Sequence, residues 1–243
     1  VNTLYIVGIG PGKPEGMTGE AAAALKQAEV IVGYSGYVAQ VRPRYPRKEF
    51  VDTPMRRETE RCAAALELAR SGRAVALVCS GDSTVYGMAG LIYELLGESG
   101  DVEIRVIPGV TAALSGGALL GAPLGHDFAV ISLSDLLTPW ERIEGRLRCA
   151  AAGDFCICLY NPASHKRADY LQKACDILLE TLSPDTVCGL ARQIGRGEES
   201  CRVLTLRELR DTPADMFTTV FVGNSQTRRI GGKMVTPRGY RLG

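Results

Sequence analysis

Long apolar runs are missing from this chain. No stretch approaches the length of uncharged residues needed to cross a bilayer, and the first residues lack the basic-then-apolar layout of a secretory signal. A cytoplasmic protein with no membrane partner is therefore expected. Paired cysteine spacing is missing too. The eight cysteines are scattered, none in a Cys-x-x-Cys pair, which favours buried reduced thiols over a disulfide framework or zinc site. Net charge is nearly absent, +1 at neutral pH, and this argues against general binding of nucleic acid. Histidine is scarce: only His126 and His165 occur. The turns that follow the predicted strands offer no catalytic Ser-His pair and no cluster of metal ligands, so neither a metal site nor acyl or phosphoryl transfer is expected.

What is present begins with Leu4-Tyr5-Ile6-Val7-Gly8-Ile9-Gly10-Pro11-Gly12, an apolar run breaking into a glycine-proline turn. Such a turn brings backbone amides to the carboxyl edge of a sheet, where open α/β proteins bind ligands. A dinucleotide fingerprint is disfavoured. Pro11 stands where the helix should start, and the second apolar run, Val30-Ile31-Val32, ends in Gly33-Tyr34 without the acidic residue expected about 20 positions on.

The first half alternates predicted strands (3–9, 29–33, 74–79, 102–107) with predicted helices (18–28, 58–70, 84–96, 111–120). The pattern resets near Gly121-Ala122-Pro123-Leu124-Gly125. Beyond it, strands are predicted near 128–133, 155–160, 186–191, 200–204 and 218–223, helices near 139–150 and 166–181, and a last strand or hairpin over 226–237. The excess of strands there points to a mixed sheet. The expected architecture is α/β with two α/β domains, 1–122 and 123–243.

Four further glycine- or proline-bearing turns follow predicted strands: Ser80-Gly81-Asp82-Ser83-Thr84-Val85-Tyr86-Gly87, Pro108-Gly109-Val110-Thr111-Ala112, Tyr160-Asn161-Pro162 and Val222-Gly223-Asn224. If all leave carboxyl strand ends, they converge on one cleft between the domains. Small residues, amides, hydroxyls and one carboxylate suit a polar cofactor held mainly by backbone. Arginines cluster locally: Arg42 and Arg44 are followed by Arg56, Arg57 and Arg61. Capture of a polycarboxylate small molecule suits them, with solvated charged faces as the alternative.

The order Gly-x-Gly-Pro-Gly, Gly33-Tyr34-x-x-Tyr37, Gly81-Asp82-x-x-x-Tyr86-Gly87-Met88-Ala89-Gly90 and Ile107-Pro108-Gly109-x-Thr111-Ala112 resembles the tetrapyrrole methylases. Within them, Leu120-Gly121-Ala122-Pro123-Leu124-x-His126-Asp127-Phe128 and Ile131-Ser132-Leu133-Ser134-Asp135-Leu136-Leu137-Thr138-Pro139-Trp140 are most similar to the precorrin-3B (cobalt-factor III) C-17 methyltransferases of cobalamin synthesis. The terminal Thr236-Pro237-Arg238-Gly239-Tyr240 completes a likeness spanning essentially the whole chain.

The resemblance implies S-adenosylmethionine as methyl donor, held in a cleft between two α/β domains, a precorrin or cobalt-precorrin substrate, and a homodimer. It implies cofactor contacts at Pro11, Gly12, Gly81, Asp82, Val85, Thr111, Ala112, Asn161, Ala191, Gly223 and Asn224, with Asp82 facing the ammonium group. Ser83 replaces a proline common in the family, which implies a less rigid loop. Methylation at C-17 accompanies ring contraction, which needs proton movement; His126, Asp127 and Tyr34 are the candidates, with solvated, capping or packing roles as alternatives. Tyr37, Arg42, Arg44, Arg56 and Arg57 are the candidate substrate contacts. His165 reads as a helix-start or carboxylate-binding residue. Another regiochemistry (C-11, C-20 or uroporphyrinogen III) or a non-catalytic tetrapyrrole carrier would keep much of this pattern.

Overall fold

The computed structural model describes residues 2–164 and 167–241. His165, and with it the start of the helix predicted over 166–181, lies outside the described residues. The chain divides into two compact units, Val1–Thr111 and Ala112–Gly243.

In the first unit, β1 (Thr3–Gly8), α1 (Gly19–Gln27), β2 (Val30–Tyr34), α2 (Ser35–Val41), β3 (Glu49–Thr53), α3 (Glu58–Arg70), β4 (Val75–Cys79), α4 (Ala89–Leu96) and β5 (Glu103–Ile107) follow in order. The sheet runs β3-β2-β4-β1-β5, and every neighbouring pair is parallel. Central strands covered on both faces must be apolar throughout, and β1 and β4 are buried at every position. Period-two alternation divides their side chains between two cores. Leu4, Ile6, Val75 and Leu77 pack with Cys62, Ala65 and Leu66 of α3 and Ile92 of α4. Tyr5, Val7, Ala76 and Val78 pack with Ala21, Ala24 and Leu25 of α1 and Val38 of α2. The chain moves one way across the sheet through α1 and α2, then back through α3 and α4. Right-handed crossovers therefore place the two helix pairs on opposite faces. Thr18 caps α1 by accepting the Ala21 amide at 3.1 Å, a contact worth about 1 kcal/mol.

The second unit contains α5 (Ala112–Leu120), β6 (Gly121–Ala122), β7 (Phe128–Ser132), α6 (Trp140–Ala152), β8 (Cys156–Tyr160), α7 (Tyr170–Leu178), β9 (Val187–Arg192), β10 (Ser200–Thr205), α8 (Leu206–Arg210), β11 (Thr218–Val222), β12 (Arg228–Ile230) and β13 (Lys233–Val235). Its main sheet runs β10-β9-β11-β8-β7. Only β7 and β8 pair parallel; β8–β11, β11–β9 and β9–β10 are antiparallel. Helices α6, α7 and α8 cover one face around Ile143, Leu147, Leu171 and Leu209. On the other face, Ala113 and Leu120 of α5 join Cys158, Ala191, Phe221 and Met234.

The boundary expected at 122/123 moves to Thr111/Ala112 because α5 belongs to this second core. A Cβ on Gly116 would lie 3.0 Å from Ile194 and from the Phe221 ring, so the helix rests directly on the sheet. The helix predicted from residue 84 starts only at Ala89. Strand β3 and helices α2 and α8 escaped prediction. All eight cysteines are free, but Cys149 and Cys201 are exposed, which corrects the expectation that all are buried. Burial pushes the Cys62 thiol up to about 12 and that of Cys79 to about 11. Both are therefore packing groups and poor nucleophiles.

Candidate functional site

In the first sheet β4 and β1 are neighbours whose following helices lie on opposite faces, which makes their carboxyl ends the topological switch point. The loops leaving these strands are laced together there. Gly10 donates its amide to the Gly81 carbonyl at 3.0 Å, and Gly81 returns the bond at 2.9 Å. Gly10 holds a φ of +75°, a left-handed conformation that glycine adopts without strain. The loop after β5 approaches as closely: a Cβ on Gly8 would fall 2.7 Å from the Gly109 amide, and one on Gly109 would land on the Gly81 carbonyl oxygen. Main chain alone forms this edge because no side chain fits.

Asp82 organises the edge. Its Oδ1 accepts the Thr84 amide at 2.8 Å, the Thr84 hydroxyl at 2.5 Å and the Val85 amide at 3.0 Å, while Oδ2 accepts the Gly109 amide at 2.9 Å. Burial by itself pushes this carboxyl up; the Thr84 hydroxyl and the Gly109, Thr84 and Val85 amides outweigh it and hold the group below the usual carboxylate range. Four donors match the acceptor capacity of a carboxylate. Asp82 is thus a loop fastener, with three donors on Oδ1 and one on Oδ2, and its negative charge stays at the edge. These bonds also delay α4, since Thr84 and Val85 turn towards Asp82. Ser83 does not loosen the loop as expected: it is fully buried and donates its hydroxyl to the Ile107 carbonyl at 3.0 Å.

Pro11 and Gly12 follow β1 at this edge, half-buried, and Thr111 follows β5, also half-buried. Tyr34 ends β2 there, with its ring edge-on to Tyr37 at 5.1 Å. The four substrate arginines are exposed but differently engaged. Arg42 lies 3.7 Å from Asp52 and over the Phe50 ring, Arg44 donates to the Pro14 carbonyl at 3.5 Å, and Arg57 pairs with Glu60 at 2.9 Å. Arg56 sits in the β3–α3 loop with a φ of +65°. Arg61, grouped by sequence with these surface charges, is buried. It precedes Cys62 and stands four residues before Ala65 on the apolar face of α3, and that spacing was the available signal.

In the second sheet β7, β8 and β9 share a direction, so Ser132, Tyr160-Asn161 and Ala191-Arg192 reach one edge. Asn161 donates its side-chain amide to the Ser132 hydroxyl at 2.9 Å. The Tyr160 hydroxyl accepts the Ala113 amide at 2.6 Å and draws the start of α5, with Ala112, to the same edge. Ala191 is buried beside them. Beyond Ser132, Asp135 accepts from the Tyr170 hydroxyl at 2.6 Å and from Arg167 at 3.1 Å, and these two hold its carboxyl low. The Ser132–Trp140 run is thereby fastened to the segment after β8. Sequence reasoning placed Tyr160 only in a turn and missed its bond to Ala113 and the Asp135 network, because the partners lie far off in the chain.

Gly223 and Asn224 do not join that group. Strand β11 runs antiparallel to β8, so its carboxyl end lies at the opposite edge, about 16 Å away at about 3.3 Å per residue. Asn224 is buried there; its amide reaches the Asp154 carbonyl at 3.2 Å and its Oδ1 accepts from Gln226 and Thr227. It closes a turn. His126 and Asp127 also lie at this far edge, exposed just before β7, with the Asp127 carbonyl accepting the Cys156 amide at 3.1 Å. Neither stands at the edge that Asn161 and Ala191 reach. Among the described residues no helix is long and apolar enough to cross a membrane.

A family model for Tetrapyrrole (Corrin/Porphyrin) Methylases matches residues 3–210 of this sequence. The chain belongs to the tetrapyrrole methylases. This methylase is 48% identical over 240 residues to a probable cobalt-factor III C(17)-methyltransferase of Salmonella typhimurium, covering 98% of this chain and 100% of that one. It is 45% identical over 238 residues to the cobalamin biosynthesis protein CbiHC of Archaeoglobus fulgidus, covering 98% of this chain but only 52% of that longer protein. The crystal structure of the methyltransferase CobJ matches with a TM-score of 0.90 at 42% identity, covering 97% of this chain and 99% of that one. The two α/β units are those of the tetrapyrrole methylase fold.

Proposed function

We propose that this methylase transfers a methyl group from S-adenosylmethionine to C-17 of precorrin-3B or cobalt-factor III, with contraction of the macrocycle, in cobalamin biosynthesis. The observation that carries this reading is the full-length likeness to the Salmonella typhimurium relative, a probable cobalt-factor III C(17)-methyltransferase.

The residues present fit such a donor. The glycine edge of the first sheet is main chain that a Cβ on Gly8 or Gly109 would fill, and the charge fastened into it is the carboxylate of Asp82. Negative potential beside exposed backbone suits a ligand carrying a sulfonium and an ammonium group. Pro11, Gly12, Gly81, Val85, Thr111, Ala112, Asn161 and Ala191 are the residues that would hold it. When bound, S-adenosylmethionine supplies an electrophilic methyl, and the carbon–sulfur bond that breaks leaves S-adenosylhomocysteine. The chain's own contribution is orientation and exclusion of water. Alignment of two bound reactants can supply about 7–11 kcal/mol of the barrier, and no strong base is required at the methyl-transfer step. Tyr34, at the carboxyl end of β2, is the proton-moving candidate at this edge for ring contraction.

Anaerobic incubation with cobalt-factor III and a carbon-13 methyl donor, followed by NMR of the product, tests the assignment. Label at C-17 of a contracted ring is expected. Label at C-11 or C-20 would replace the regiochemistry while keeping the family.

A further inference from the structure

Arg61 inverts the usual relation between charge and burial. Buried charges are ordinarily paired, because desolvating an isolated ion is costly. Here the exposed Arg70 and Arg148 and the half-buried Arg73 each hold a carboxylate at 2.6–2.8 Å. Arg61 is 2% exposed, yet no ion pair to it is found among the described residues. Its Nε donates to the Thr53 hydroxyl at 2.9 Å and one terminal nitrogen donates to the Pro54 carbonyl at 2.9 Å. The other terminal nitrogen has only the Met88 thioether, at 3.5 Å. Sulfur is the weakest acceptor in the protein inventory, and a guanidinium carries five donors.

Its location gives this cation a use. Thr53 ends β3, Pro54 opens the following loop, and Met88 closes the loop that carries Asp82. All three stand at the carboxyl edge of the parallel sheet, the ligand edge of such a fold. We propose that Arg61 is the buried cation against which a peripheral carboxylate of the tetrapyrrole substrate is seated, taking the place of the Met88 sulfur at the terminal nitrogen. A charge-assisted bond is roughly twice as strong as a neutral one, so the exchange favours the ligand, and the substrate brings the counter-ion that none of the described residues supplies. The inference rests on the functional reading above and concerns substrate, not methyl donor.

The test compares Arg61→Met, Arg61→Lys and Thr53→Val with wild type. Affinity for cobalt-factor III is read by visible absorbance, affinity for S-adenosylhomocysteine by calorimetry, and folding by thermal melting. Arg61→Met is expected to weaken cobalt-factor III at least tenfold and Arg61→Lys at least threefold, both with S-adenosylhomocysteine affinity within twofold. Thr53→Val, which removes a bond that only positions the side chain, is expected to lower Tm while leaving cobalt-factor III affinity within twofold. Unchanged cobalt-factor III affinity in either arginine variant overturns the proposal, as does equal loss of both ligands. Should Arg61→Met fail to fold, Arg61→Lys decides alone. Wild-type protein that binds S-adenosylhomocysteine but no cobalt-factor III overturns the substrate reading itself, and this inference with it.

Discussion

The two sheets of this methylase carry similar turns after their strands and use them differently. In the first sheet all five strands are parallel, so every strand-exit loop reaches the same edge. Gly10, Gly81 and Gly109 meet there. In the second, β11 runs against β8, so Asn161 and Asn224, alike on paper as asparagines after apolar strands, stand at opposite ends. Strand direction is a property of pairing and leaves no mark on a strand's own residues. A turn motif therefore locates a ligand edge only where the sheet is parallel.

Paired glycine substitutions sharpen that contrast most. Gly109→Ala drives a Cβ onto the Gly81 carbonyl at the ligand edge, and should cost about 3 kcal/mol of stability together with at least tenfold in S-adenosylhomocysteine affinity. Gly223→Ala places its Cβ 2.5 Å from that of Thr227, and should lower Tm by a comparable amount with affinity unchanged. Melting curves and calorimetry separate the two, and equal loss of affinity would break the distinction.

Asp82→Asn comes next. The amide nitrogen cannot accept, so part of the four-bond set is lost and S-adenosylhomocysteine affinity should fall about tenfold. The folded carboxyl is held low, so its stabilisation is whole above the ordinary carboxylate pKa of about 4 and disappears as pH falls below it through the depressed folded value. Wild type should lose Tm steeply in that acid window, and Asp82→Asn should show a flatter acid limb. The smallest effect is expected from His126→Ala, with kcat within about twofold of wild type because the side chain is exposed at the amino edge of the second sheet. A hundredfold fall would restore His126 to the chemistry and show that the far edge also serves the reaction.

Legibility followed burial. Strands β1 and β4 were readable because they are covered on both faces, which demands uninterrupted apolar residues. Strand β3 is an edge strand, exposed at Glu49 and Asp52, in an arginine- and proline-rich stretch, and local pattern hid it. The start of α4 was misplaced because side-chain bonds from Asp82 compete with the helix, a contact that apolar periodicity does not register. Arg61 reads as one more surface charge until α3 is docked, when its position beside Cys62 turns it inward.

From the sequence alone came the two α/β halves and the glycine-lined edge, since each depends on local periodicity or on turns with their own backbone demands, and the family, through the resemblance of its motifs. Tertiary structure alone decided that Asp82 fastens loops, that Asn224 and His126 stand apart from Asn161, and that Arg61 is buried with no ion pair among the described residues. Those outcomes depend on strand pairing and on burial by residues distant in the chain, which no local pattern encodes.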